Sequence, residues 1–386
     1  MAATLKLGDK IWATKEGSLL AYNDENNNFK PLPFDFTRAS SATRVNKDGL
    51  FEVVTNNKPR IDFLNNSNGA LLLEPSRTNL LTYSEDFTNA SWVKTDCSVV
   101  SNFGASPSGE TNASKLTFTT TNTSARAQYN LSGLTAGSTY TQSYYIKSLG
   151  TDITLRIGTS ASVVGEFVDI IATSEWQRFQ LTGTASSTTE FPRVQNITGT
   201  SGVEILVWGA QFELGSYATS YIPTQGSAVT VVAETCTDAG NDQVINSTEG
   251  VLYAEIENAY QSATTRGWSL VSVLDNGLDL VAIRFNSFQN ISFYLRANGV
   301  TTINSNIVAP ASGFLKIAIK YKSGDNALWI NGVEVYTDSI SFTFNSPLAT
   351  LGNDESLGGK GYFNIKDTQV FTTALTDAEL IALTTI

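Results

Sequence analysis

Three Asn-Gly pairs, Asn276-Gly277, Asn298-Gly299 and Asn331-Gly332, punctuate the last third of the chain, each between short runs in which apolar and polar residues alternate. Asn-Gly accepts the positive φ that both central residues of a type I′ turn require, so each pair predicts a tight hairpin between antiparallel strands. Around Asn331-Gly332 the pattern also sets a register. A two-residue loop pairs Ile330 with Val333 and Leu328 with Val335 on the core face and sends Trp329 and Glu334 to the opposite face. Similar runs recur at 115–118, 140–147, 153–157, 176–181 and 203–213, while helical periodicity is almost absent. One helix is expected: Thr376 as N-cap and Glu379 three residues later have capping-box spacing and open a short helix that ends near Thr384.

At 386 residues the chain has length for about two or three domains, and its 20 Phe, 14 Tyr and six Trp supply their cores. The expected fold class is all-β, with two jelly-roll β-sandwiches in series after an extended N-terminal arm. Residues 1–79, with an Asn26-Asn27-Asn28 run and a Lys47-Asp48-Gly49 turn but few clustered apolar residues, form the arm. The first sandwich covers 80–226. The second covers 227–386 and carries the terminal helix. The hinge between them is placed at Tyr221-Ile222-Pro223-Thr224-Gln225-Gly226, where Pro and Gly interrupt the pattern.

Composition narrows the chemistry. The chain has no histidine, which removes the usual general base and the commonest metal ligand, and with them Ser-His-Asp and Cys-His hydrolases. Its two cysteines, Cys97 and Cys236, supply neither a tetrahedral zinc shell nor a disulfide framework, and read as reduced, buried thiols. A net charge of −11 argues against a nucleic-acid partner, because a phosphate backbone needs a basic footprint. The acid excess lies after residue 79, and the N-terminal segment is near neutral. No run approaches a membrane span of roughly 18 apolar residues, and the first residues show neither the basic nor the apolar region of a signal peptide, so no membrane insertion is expected.

Three blocks resemble bacteriophage virion proteins with lectin-like domains. The first runs through Phe36-Thr37-Arg38-Ala39-Ser40-Ser41-Ala42-Thr43-Arg44-Val45, Asp48-Gly49-Leu50, Pro59-Arg60-Ile61-Asp62-Phe63 and Leu71-Leu72-Leu73-Glu74 to Arg77-Thr78-Asn79-Leu80-Leu81-Thr82-Tyr83-Ser84-Glu85-Asp86-Phe87. It resembles a module of phage tail, fibre and appendage proteins. The second, with Trp92, Tyr144-Tyr145-Ile146-Lys147, Trp176-Gln177-Arg178-Phe179 and Trp208-Gly209-Ala210-Gln211-Phe212-Glu213, resembles a carbohydrate-binding-module jelly roll. The third, with Leu328-Trp329-Ile330-Asn331-Gly332, Leu351-Gly352-Asn353 and the 361–367 strand leading into 374–380, is similar to concanavalin A-like and laminin-G-like domains. The resemblance implies a non-enzymatic virion structural protein of the tail-fibre, spike or head-fibre kind. It would assemble in the host cytoplasm, dock on other virion proteins through its arm, associate as a homo-oligomer with a trimer favoured, and adsorb to host-surface glycan.

Sugar recognition needs an aromatic face beside planar polar groups, which selects Trp329, opposite the core by register, and Tyr294 with Arg296 on an outer strand face. Trp92, Trp176 and Trp208 read as core. Asn353, Asp354 and Glu355 share a turn and offer oxygens to calcium, without a complete ligand set. Glu255 and Glu257 lie on one strand face but lack the flanking carboxylate pattern of a glycan hydrolase. A purely structural decoration protein and a glycan depolymerase are the alternatives.

Overall fold

The computed structural model describes residues 3–8, 12, 14–15, 18–23, 28–159, 167–257, 266–272, 274, 278–286, 290–308, 313–353 and 362–386. Among the described residues the fold is all-β apart from the helix Asp377–Thr384. Two compact units are present, and both are discontinuous in sequence: 1–41, 54–75 and 233–386 form one, 42–53 and 76–232 the other. No helix among the described residues is long and apolar enough to cross a membrane.

In the unit holding the C-terminus, one sheet runs in the order Thr235–Thr237, Asn28–Thr37, Ser18–Asn23, Leu5–Gly8, Asn364–Phe371, Glu249–Glu257, Leu315–Lys322, Asn326–Ile330, Val333–Asp338. A second runs Val300–Asn304, Asn290–Ala297, Leu280–Asn286, Arg266–Val271, Thr350–Gly352. Their facing residues, among them Leu252, Ile319 and Leu328 from the first and Ile283, Phe293 and Leu295 from the second, bury one apolar core. Each such side chain contributes about 1.5–3 kcal/mol.

The N-terminal segment is not a separate arm. Leu5–Gly8 pairs with Asn364–Phe371, Leu5 opposite Val370 and Leu7 opposite Thr368. Leu5, Leu7, Phe34, Phe36, Ile61, Leu71 and Leu73 all enter the core of this sandwich. The physical cause is alternation too short to stand out: Lys6 between two leucines and Asp35 between two phenylalanines make strands buried on one face, which need the rest of the sandwich to be covered.

The other unit is a sandwich of two five-stranded antiparallel sheets. One has the order Trp92–Thr95, Arg126–Tyr129, Arg193–Asn196, Ile153–Gly158, Phe167–Ala172; the other Cys97–Gly104, Ala113–Phe118, Val203–Leu214, Thr139–Ser148, Gln177–Thr184. Trp92, Ala127, Val194, Leu155 and Ile157 from the first meet Leu116, Phe118, Tyr144, Ile205 and Val207 from the second. The Asp48-Gly49 turn closes a hairpin, Ala42–Val45 with Phe51–Val54, and Phe51 packs against Tyr145 and Trp208 on the outer face of the second sheet. The 221–226 segment is not a hinge: Tyr221, Ile222 and Thr224 are buried, the Ile222 amide donates to Gln211 Oε1 at 2.7 Å, and the boundary between units falls after Val232. Pro and Gly mark a bend that its neighbours hold in place.

Hairpin chemistry is plain at two of the Asn-Gly pairs. Asn298 and Gly299 have φ of 55° and 76°, Asn331 and Gly332 51° and 81°, and Ile330 faces Val333 across the turn. One step further the ladder departs from simple pairing. Trp329 lies opposite Glu334 but Leu328 lies opposite Tyr336, so Val335 is an unpaired bulge residue that still packs against the core, while Val333 is 59% exposed instead of facing it. Asn276-Gly277 falls outside the described residues. The terminal helix has the expected capping box, with Thr376 Oγ1 accepting from the Glu379 amide and Glu379 accepting from the Thr376 amide.

Candidate functional site

The residues selected for sugar contact do not converge. Trp329 does point away from the main core, but it is 5% exposed, covered with Phe371, Leu375 and Leu380 where the terminal helix lies over the sheet. An outward indole on a sheet is a large apolar surface, and here the chain's own last residues bury it. Tyr294 and Arg296 lie on the outer face of the opposite sheet. Tyr294 is buried beside Leu280 and Ala282, its hydroxyl lies 2.8 Å from Thr301 Oγ1, and the Arg284 guanidinium sits 4.4 Å from its ring centroid. Arg296 is half-buried next to it.

Of the residues suggested for calcium, only Asn353 lies among the described residues. Asn353 is buried, its Oδ1 accepting from the Cys236 amide at 2.7 Å and its Nδ2 donating to the Glu234 carbonyl at 3.3 Å. Its amide joins two chain segments, while Asp354 and Glu355 lie outside the described residues. Among the described residues no group of three or more His, Cys, Asp or Glu side chains is placed to hold a metal. Glu255 meets Lys366 at 3.4 Å and Glu257 accepts from Asn364 Nδ2 at 2.9 Å, so each is engaged in its own sheet contact. Trp92 and Trp208 are buried as expected, and Trp176 is half-buried with its Nε1 donating to the Ala105 carbonyl. Both cysteines are free, and burial pushes the Cys97 thiol up to about 12, which leaves it unreactive.

The charged residues of the 36–87 block do something else. Arg38, Arg60, Glu74 and Glu234 form a buried network in the unit holding the C-terminus. Glu234 takes both Arg60 Nε and NH2 at 2.8 and 2.6 Å and Arg38 NH1 at 2.7 Å, and Arg60 NH1 reaches Glu74 at 2.9 Å. Arg38 spends its remaining donors on the carbonyls of Ser40, Val54, Thr55 and Lys58. Burial lowers the Arg38 pKa while Glu234 opposes the shift. Two cations and two anions balance, with donors satisfied, in a place no ligand enters. The most recognisable motif in the chain is an internal brace.

An accessible site lies at the end of that block, in the other sandwich. A cleft of about 600 Å³ is lined by Tyr83, Glu85, Asp86, Asn102, Asn112 and Gln225, among others. Three local devices build it. The ladder between Cys97–Gly104 and Ala113–Phe118 slips between Val100 and Gly104, and the loop so freed places Asn102 with φ of 51° at the rim. Tyr83 bridges Gln225, while the Thr224 amide and hydroxyl bond Ser84 Oγ and the Leu81 carbonyl, fixing the Pro223–Gln225 wall. The Glu85 carboxylate accepts from Tyr221 Oη at 2.9 Å and Asn112 Nδ2 at 3.1 Å, and burial raises its pKa. Asn112 Oδ1 is buried and has no hydrogen-bond partner. One aromatic ring, two carboxylates and three amides on one concave surface is chemistry suited to a polyhydroxyl ligand. Glu85 and Asp86 are consecutive on one wall, whereas bond cleavage needs carboxylates on both sides of the scissile bond.

Tyr83-Ser84-Glu85-Asp86 stands in the sequence without a pattern that marks a site, and Pro223-Thr224-Gln225-Gly226 carries the Pro and Gly punctuation of a hinge. The available signal was a Tyr followed by two acids in a segment with no strand pattern. The 140 or so residues separating the two walls hid the rest.

No family model matches the chain, and no curated protein matches it. Among solved structures, it is similar to the CBM40 of a Ruminococcus gnavus IT-sialidase bound to α2,3-sialyllactose (20% identity over 37% of this chain and 86% of that one, TM-score 0.32). It is also similar to domain 4 of AbnA, a GH43 extracellular arabinanase from Geobacillus stearothermophilus, in complex with arabinotriose (14%, 44% and 82%, TM-score 0.31). A third is the CBM22-1-CBM22-2 tandem domain of Paenibacillus barcinonensis Xyn10C (10%, 78% and 100%, TM-score 0.31). At these identities and TM-scores the likenesses decide neither a fold nor a ligand for this chain.

Proposed function

We propose that this protein is a non-enzymatic structural component of a bacteriophage virion, of the tail-fibre, spike or head-fibre kind, that adsorbs to host-surface glycan. The observation that carries the glycan half is the polar cleft beside Tyr83, an aromatic flanked by carboxylates and amides without opposed catalytic groups. The virion half is supported by the resemblance of the 36–87 block to phage tail, fibre and appendage modules. Assembly in the host cytoplasm, contact with other virion proteins and a homotrimer belong to the same reading. Docking then uses surface of the folded N-terminal strands, since residues 3–8 and 34–37 are part of a sandwich.

A glycan array probed with the full chain, together with immunogold labelling of purified particles, tests both halves. Particle labelling and selective array binding that Tyr83→Ala abolishes are expected. Unlabelled particles would remove the virion role, and an empty array the adhesive one. A second reading, a decoration protein without glycan binding, is favoured by the burial of Trp329 and Tyr294, and an empty array with labelled particles would select it.

A further inference from the structure

The two sheets of the 76–232 sandwich differ on their outer faces. On one, Trp208 and Tyr145 are covered by Phe51 and Tyr221. On the other, the sheet from Trp92–Thr95 to Phe167–Ala172, the outward Val93, Phe167 and Ile171 are 40%, 43% and 58% exposed. Antiparallel register places three arginines together on this open face. Arg126 and Arg156 flank Gln195 in one row across the sheet, and Arg193 stands between Gln128 and Gly158 in the next. The chain carries a net charge of −11, so this is a local reversal of sign.

The three cations are not equally satisfied. Arg156 holds Asp169 bidentately at 2.6 and 3.0 Å. Arg126 donates to Gln128 Oε1 and the Ser124 carbonyl. Among the described residues the Arg193 guanidinium carbon lies 4.9 Å from the Phe167 ring centroid, and Arg193 Nε is buried with no hydrogen-bond partner. Burial, with Arg126 and Arg156 close by, lowers the Arg193 pKa to about 10. Beside it Gln195, 8% exposed, donates from Nε2 to the Thr123 carbonyl at 2.7 Å but leaves Oε1 without a partner. A half-desolvated guanidinium with no carboxylate partner among the described residues is costly to hold, and a bound anion relieves that cost through paired, charge-assisted hydrogen bonds.

We propose that this open face is a second binding site, for a saccharide bearing a carboxylate or sulfate group. The anionic group seats on Arg193 beside Arg126, the unpartnered Oε1 of Gln195 accepts from a ring hydroxyl, and Phe167 offers an apolar edge. Nucleic acid fits poorly, since the arginines span three adjacent strands, about 10 Å at ordinary strand spacing, and provide no longer basic track. The site shares no residue with the Tyr83 cleft and stands whether or not that cleft takes a sugar.

Calorimetric titration of the full chain with trigalacturonic acid, a heparin-derived hexasaccharide, neutral dextran oligomers and single-stranded DNA tests this. Binding of at least one of the two acidic saccharides is expected, weakened by added salt, about tenfold or more weaker in Arg193→Gln, and unchanged in Tyr83→Ala. The trigalacturonate and heparin arms distinguish carboxylate from sulfate as the recognised group. Unchanged melting of Arg193→Gln keeps a loss of binding from being a loss of fold, and Arg126→Gln is the parallel variant. No binding of either acidic saccharide, binding indifferent to both arginine variants, or equal binding of single-stranded DNA would overturn the proposal.

Discussion

At the residue scale, burial decides which charges act on structure and which are left for ligands. Glu234 receives three guanidinium donors and also accepts from the Glu74 amide at 2.8 Å. Glu234→Gln strips the charge from the middle of this network and leaves Arg38 and Arg60 with one carboxylate between them. Urea unfolding should show a loss of about 3–5 kcal/mol, and Arg60→Lys should not be benign, because an ammonium cannot reproduce the bidentate contact. A wild-type midpoint in either variant would contradict the brace. Glu85 behaves oppositely: burial raises its pKa, so the folded protein holds its proton more tightly than the unfolded chain. Its contribution to stability is full below the ordinary glutamate range and is lost as pH rises through the raised value. Glu85→Gln should flatten that fall above the ordinary glutamate range, measured by urea midpoints across a pH series.

At the element scale, the hairpins and helix were legible and their neighbours were not. Asn331-Gly332 announces a type I′ turn because few other pairs tolerate two positive φ values, and Thr376 with Glu379 announces a capped helix by spacing alone. The bulge at Val335 was not visible, since nothing local distinguishes a paired valine from one that keeps its core contact but loses its ladder partner. Trp329 shows the same limit: alternation assigns its face correctly, but only the fold reveals that Leu380, 51 positions later, covers it. Thr376→Ala should therefore act at a distance. Loss of the cap costs about 1 kcal/mol of helix stability. As the helix frays, fluorescence quenching by acrylamide should rise, and Trp329→Phe in the same background should remove that rise. Quenching that stays at the wild-type level would mean the helix does not shield the indole.

At the scale of the whole molecule, fold class was readable from pattern while the division into units was not. Pattern sees neighbours in sequence, and both sandwiches borrow strands from far away. Arg77–Asn79 pairs with Val229–Val231, and Leu5–Gly8 with Asn364–Phe371. The three arginines of the open sheet come from three strands of which none is next to another in sequence, so no motif could announce them. A fragment of residues 227–386 lacks Leu5, Leu7, Phe34, Phe36, Ile61, Leu71 and Leu73 from its core. It should fail to give dispersed amide NMR signals. Adding residues 1–75 as a second chain should restore them, and a well-folded 227–386 fragment would show that the N-terminal strands are dispensable.

Saccharide recognition by the 76–232 sandwich is tested most directly by calorimetric titration of the full chain with the saccharide that ranks first on the array. Tyr83→Ala and Asn102→Ala are titrated alongside, each checked for unchanged melting. The expected result is saturable binding by the wild type that weakens about tenfold or more in Tyr83→Ala and measurably in Asn102→Ala. Binding of equal strength in all three proteins would place the sugar elsewhere, and a flat wild-type titration would mean that the cleft takes none.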